Sequence, residues 1–109
     1  MWLLTGDQMI TATNIGKNCN IISNSNQLIF MNSHDLSVIE KQIEEVSNLE
    51  KPEEYSVVLT GVVLSMILNT KQGKQLFKAL LKVHSIVCCR VTPKQKVSHL
   101  LFYLMRSHF

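Results

Sequence analysis

The sequence predicts an α/β fold: three layers, with a mainly parallel sheet covered by helices on both faces. Three observations lead there. Short apolar runs rich in Val, Ile and Leu alternate with segments whose apolar residues recur every three or four positions, the patterns of buried strands and amphipathic helices. Strands separated by helices pair most simply in parallel. Finally, the junction Thr5-Gly6-Asp7 passes directly from an apolar run into helical spacing.

The elements follow in order. Trp2-Leu3-Leu4-Thr5 is a buried strand, broken by Gly6 and Asp7. From Gln8 the apolar positions Met9, Ala12, Ile15 and Cys19 define one helix face. Asn18, Asn20 and the run Ser23-Asn24-Ser25-Asn26 make a turn-rich patch, within which Ile21 and Ile22 read as a short strand. Gln27–Met31 is a further strand. Asn32-Ser33-His34-Asp35 supplies cap residues, and Leu36, Ile39, Ile43, Val46 and Leu49 then make residues 33–49 an amphipathic helix with a solvated polar side. Residues 48–54, with Pro52, form an exposed loop. Tyr55–Thr60, largely Val and Leu, is a well-covered strand. Residues 62–68 read as a short helix, and residues 71–83 as a longer one with Leu76, Phe77, Leu80 and Leu81 inward. Residues 85–91 are the last strand. Thr92 caps a final helix with Pro93 at its first position, where the missing N–H costs nothing, and Val97, Leu100, Leu101 and Leu104 inward.

Length and composition bound the answer. A chain of 109 residues is a single small domain, and its 46% apolar share and 17% charged share argue against disorder. No apolar run approaches the ~20 residues of a membrane span. Met1 leads straight into a strand, without a basic head or cleavage site, so no signal peptide is expected and Met1 reads as an artificial start or a cut in a longer protein. The net charge of +3 suits an anion but gives no Lys/Arg stripe interleaved with aromatics, so nucleic acid is not an expected partner. The three cysteines, Cys19, Cys88 and Cys89, read as small reduced core residues. Neighbouring strand residues point to opposite faces, which argues against a Cys88–Cys89 disulfide. His34, His84, His99 and His108 are scattered and there is no Cys-x-x-Cys, so no zinc site is expected.

The chemistry centres on Thr5-Gly6-Asp7. A helix N-terminus offers free backbone N–H groups and a partial positive charge, which suit a phosphate. Gly6 allows close approach, and the Thr5 hydroxyl is a donor. The plainer alternative is an ordinary strand-to-helix turn in which Asp7 is the N-cap. At the far end of the chain, Arg90 to Lys96 also follows a strand. Ligands of parallel α/β sheets sit at the carboxyl ends of strands, so the two stretches share one edge if their strands neighbour each other.

Two strings carry a family resemblance. The run WLLTGDQMITATNIGKNC, from Trp2 through Cys19, and the run SIVCCRVTPKQKV, from Ser85 through Val97, resemble the phosphorylation (P) domain of P-type ATPases, in the phospholipid-flippase subclass. That resemblance implies a haloacid dehalogenase-like fold, with residues 1–109 as one partial P domain. It lacks both the DKTGT string that holds the nucleophilic aspartate and the GDGxND string that holds magnesium, so no catalytic or metal residue lies in the fragment. By resemblance, Thr5 and Gly6 contact the transferring phosphoryl group, Asp7 helps place the nucleotide, Lys96 neutralises phosphoryl charge and Arg90 lies near the nucleotide. Read without the family, Lys96 is a solvated lysine of a first helical turn and Arg90 a surface ion-pair residue.

The parent implied is an integral membrane ATPase that uses ATP and Mg2+ to move phospholipid, with this piece cytosolic and partnered by nucleotide-binding, actuator and membrane domains. The fragment itself is expected to need no cofactor and to hydrolyse nothing, and bare strand edges imply self-association. Three positions depart from the family pattern: Gln8 stands for Lys, Ile10 for Glu, and Thr60-Gly61 for Asp-Gly. They leave room for an alternative, a degenerate P-domain-like regulatory or scaffolding module of a multidomain membrane protein such as an apicomplexan guanylyl cyclase. A soluble phosphatase of the haloacid dehalogenase superfamily is a third reading, which the Cys-Cys-Arg-Val string argues against.

Overall fold

The computed structural model describes residues 2–67 and 70–91. Four parallel strands form one sheet in the order β1-β4-β3-β2: β1 (Trp2–Leu4), β2 (Gln27–Met31), β3 (Tyr55–Thr60) and β4 (Ser85–Cys89). Four α-helices connect them: α1 (Met9–Asn18), α2 (Leu36–Ser47), α3 (Gly61–Ile67) and α4 (Lys71–Leu80). Among the described residues, the first strand pairs only with the last, Leu3 opposite Val87. β3 lies between β2 and β4, and its burial along Ser56 to Thr60 follows from that central place.

The period-two alternation of the central strands sorts their side chains onto two cores. Val57, Leu59, Ile86 and Cys88 face Ile39, Ile43 and Val46 of α2, Val63 and Ile67 of α3, and Leu76 and Leu80 of α4. Val58, Val87 and Cys89 face Ala12 of α1, together with Ile22. Helices therefore cover both faces, as expected. Cys88 and Cys89 are free thiols on opposite sides. Burial pushes the Cys88 thiol up to about 12, with its neighbour Cys89 adding to the shift.

Local chemistry sets the ends of the helices. Asp35 is the N-cap of α2, and its carboxylate accepts from the Ser37 amide at 2.9 Å and the Ser37 hydroxyl at 2.8 Å. Those bonds, the hydroxyl first, hold the Asp35 carboxyl below its ordinary range. The helix begins at Leu36 rather than Ser33, because Ser33 and Asp35 build the cap and the turn before it. Thr70 caps α4: its hydroxyl accepts from the Gly73 amide at 3.0 Å and donates to the Ile67 carbonyl at 2.6 Å, tying α4 to the end of α3. At the amino ends of β3 and β4, the buried hydroxyls of Ser56 and Ser85 lie 2.7 Å apart, and Ser56 also donates to Asn26 Oδ1 at 3.2 Å.

Three expectations are corrected. Ile21 and Ile22 form no strand; both amides donate to the Gly16 carbonyl and close the end of α1. Cys19 is exposed rather than a core residue. The buried face of α1 is Ala12, Thr13 and Gly16, because small residues let the helix lie close to the sheet. A Cβ at Gly16 would stand 2.9 Å from Ile22 Cδ1 and 3.4 Å from Val87 Cγ2. Lastly, α4 ends at Leu80 rather than at residue 83; Leu81, just beyond it, packs half-buried against the core. The helix expected from Pro93 onward lies outside the described residues. Among the described residues, no helix is long and apolar enough to cross a membrane.

Candidate functional site

All four strands are parallel, so their carboxyl ends share one edge of the sheet, where ligands of such folds bind. Because β1 and β4 are neighbours, the Thr5-Gly6-Asp7 turn meets the residues after Cys89. The Thr5 amide donates to the Cys88 carbonyl at 3.0 Å and the Val91 amide to the Thr5 carbonyl at 3.1 Å. The Arg90 amide donates to the Asp7 carbonyl at 2.9 Å. Arg90 makes this bond in the left-handed backbone region, with φ 53°, a conformation that costs a non-glycine residue about 1–2 kcal/mol. Strain of this kind persists where surrounding contacts over-determine it, and here those contacts join the two sequence motifs.

A cleft of about 880 Å3 opens along this edge. It is lined from β1 and α1 by Gly6, Gln8, Met9 and Ile10, and from β4 by Arg90 and Val91. It is also lined by Thr60 at the end of β3 and Val62 after it, and by Asn32 and His34 after β2. Of the residues singled out in the sequence, Gly6 and Arg90 line the cleft. Thr5 and Asp7 flank Gly6 and bond to each other: the Thr5 hydroxyl donates to Asp7 Oδ2 at 2.7 Å and accepts from the Asp7 amide at 3.1 Å. Lys96 lies outside the described residues.

Asp7 is not the N-cap of α1. That position belongs to Gln8, whose side chain makes no capping bond, and no acid stands in the first turn. The helix therefore presents its first-turn amides to the cleft without a side-chain oxygen on them, a local field that favours an anion. Among the described residues, a Cβ added at Gly6 would meet only the Val91 carbonyl, at 3.5 Å. The turn's own packing thus tolerates a side chain there, and what glycine keeps open is the space toward the cleft.

Asn32, His34 and Thr60 were not assigned to the site from sequence. The one available signal was the position of each just after, or at the end of, a strand that reads as parallel. Among the described residues, no group of three His, Cys, Asp or Glu side chains is placed to hold a metal ion. Asp7, the one carboxylate within the two motifs, accepts from the Thr5 hydroxyl through Oδ2.

The architecture and site edge define a three-layer α/β domain whose first and last described strands bring two anion-suited loops together. Comparison with known proteins specifies it further. The chain is 30% identical over 101 residues to the phospholipid-transporting ATPase tat-1 of Caenorhabditis elegans, covering 88% of this chain and 9% of that protein. It is 29% identical over 100 residues to phospholipid-transporting ATPase 1 of Arabidopsis thaliana, again 88% of this chain and 9% of the relative. With the phospholipid-transporting ATPase DNF1 of Saccharomyces cerevisiae it shares 29% identity over 128 residues, 90% of this chain and 8% of the relative. No family model matches the chain. The chain thus resembles phospholipid-transporting P-type ATPases along nearly all of its own length, as a partial fragment spanning about a tenth of theirs.

Proposed function

We propose that this chain is a piece of the ATP-hydrolysing phosphorylation domain of a phospholipid-translocating P-type ATPase, supplying nucleotide and phosphoryl contacts. The supporting observation is the backbone tie of two hydrogen bonds between Thr5-Gly6-Asp7 and Arg90-Val91 beside the cleft. In this reading the phosphoryl oxygens meet the Gly6 amide, the first-turn amides of α1 and Arg90, with Thr5, Asp7 and Lys96 completing the surround. Such contacts act by position and charge, which is most of what phosphoryl transfer requires of a protein. ATP and Mg2+ belong to the parent, which supplies the nucleophilic aspartate and the metal ligands; the piece is a cytosolic part of a membrane protein.

One observation favours a second reading. Two of the departures from the family pattern, Gln8 and Thr60, both line the cleft, so the lysine and the aspartate of the family pattern are replaced by neutral residues at the site itself. A third, Ile10, lines it with a side chain 78% exposed. That pattern suits a regulatory or scaffolding module that keeps the fold and has lost turnover. Titrating the labelled chain with ATP and Mg2+ while following backbone amide shifts tests the first reading. Shifts grouped at Thr5, Gly6, Asp7, Arg90 and Lys96 are expected, with no hydrolysis. Unmoved amides at all five positions favour the second reading, and magnesium-dependent hydrolysis by the chain alone would contradict both.

A further inference from the structure

The Thr5 hydroxyl has one proton, and in this structure that proton is committed. It points to Asp7 Oδ2 across 2.7 Å, while the Asp7 amide occupies the hydroxyl oxygen from the other side at 3.1 Å. An ionised phosphoryl oxygen is an acceptor only. Thr5 therefore has nothing to offer an anion until its bond to Asp7 is broken. The bond in question is charge-assisted and short, hence among the stronger ones a side chain makes. The same carboxylate also stands close to any anion approaching Gly6.

We propose that Asp7 is a latch on Thr5: its carboxylate holds the hydroxyl in a closed state that refuses phosphate, and the donor is released only when Asp7 is drawn to another group. The proposal rests on the phosphoryl-contact reading of Thr5 given above. Asp7 is thus a positioning residue that acts through Thr5. A ligand that engages the Asp7 carboxylate through a hydroxyl or cationic group would free Thr5 for its phosphate. A phosphate monoester dianion whose ester group carries no donor cannot engage a carboxylate and would have to break the latch unaided. The latch thereby selects composite ligands, phosphates bearing donor groups, over such a simple dianion.

A double-mutant cycle on the full chain tests this, with methyl phosphate as its dianion for the probe and binding followed by amide shifts. Asp7→Ala is expected to bind this phosphate roughly tenfold more tightly than wild type, the weight of one charge-assisted hydrogen bond. In a Thr5→Val background the same substitution is expected to gain less than about threefold, since only a screened surface repulsion is then relieved. Equal gains in the two backgrounds would show simple charge repulsion and overturn the latch. A second readout needs no ligand. Three-bond couplings to the Thr5 γ-methyl carbon report its χ1 rotamer, which should be single in wild type and averaged in Asp7→Ala. An averaged rotamer in wild type, or an unchanged one in Asp7→Ala, overturns the latch. If none of the four proteins binds phosphate, the phosphoryl reading of Thr5 fails, and the couplings still decide whether the hydroxyl is latched.

Discussion

Replacing Gly73 by alanine offers a test in which the structure reverses an ordinary rule. Glycine in a helix is disfavoured, so Gly→Ala normally stabilises by about 0.5–1 kcal/mol. Here the added Cβ would collide with the carbonyl oxygen of Ile67, and the next nearest atoms are the Ile67 carbonyl carbon at 3.1 Å and Thr70 Oγ1 at 3.3 Å. The first obstacle is backbone, so no flexible side chain can yield, and α4 must move away from the end of α3. That movement strains the Thr70 bonds to the Ile67 carbonyl at 2.6 Å and from the Gly73 amide at 3.0 Å. Loss of the cap costs ~1 kcal/mol and overpacking a further 1–3 kcal/mol, roughly. Against the propensity gain, the expected net destabilisation is about 2 kcal/mol. Urea unfolding followed by circular dichroism measures it, provided the slope with denaturant is unchanged. A Gly73→Ala protein as stable as wild type, or more so, would refute the reasoning about the α3–α4 junction.

Other outcomes are expected from the same physical arguments. Arg90→Gly and Arg90→Ala both remove the guanidinium, but only glycine relieves the left-handed backbone, so the glycine variant should be the more stable by about 1 kcal/mol in urea. Ser85→Ala should cost about 1–2 kcal/mol by depriving buried Ser56 of a partner, and the double variant with Ser56→Ala should recover part of the loss in the same assay. The Cys88 thiol is raised from its ordinary 9.0 to about 12. The unfolded chain therefore gives up that proton first, and the contribution is whole below pH ~9 and lost as pH rises toward ~12. Wild type should lose stability through that window faster than Cys88→Ala, by roughly 1 kcal/mol per pH unit.

The strands were the most legible part of the chain. Gln27–Met31 and Tyr55–Thr60 are bounded by turn residues and filled with residues suited to a pleated surface, and they fold over those spans. Where sequence reading failed, the deciding contact was invisible to an apolar pattern. The inward face of α1 is built from Ala12, Thr13 and Gly16, which signal closeness rather than greasiness. Ile21 and Ile22 have strand-like side chains but no neighbouring strand, and their amides go to Gly16. At the candidate site, Gly6 and Arg90 were readable because each follows a strand. Asn32, His34 and Thr60 became visible only with the strand order, since β4-β3-β2 carries the cleft across the sheet. The engagement of Thr5 with Asp7 is a matter of ångströms, which residue types do not encode.

The pairing of β1 with β4 has a consequence for biosynthesis. Within this stretch β1 is made well before β4 and cannot dock on it until the segment around Cys88 has emerged. Such a distant closure is slow compared with local helix formation. The two halves of the anion-suited edge are consequently joined among the last events of folding, whereas β2 and β3 can align long before them.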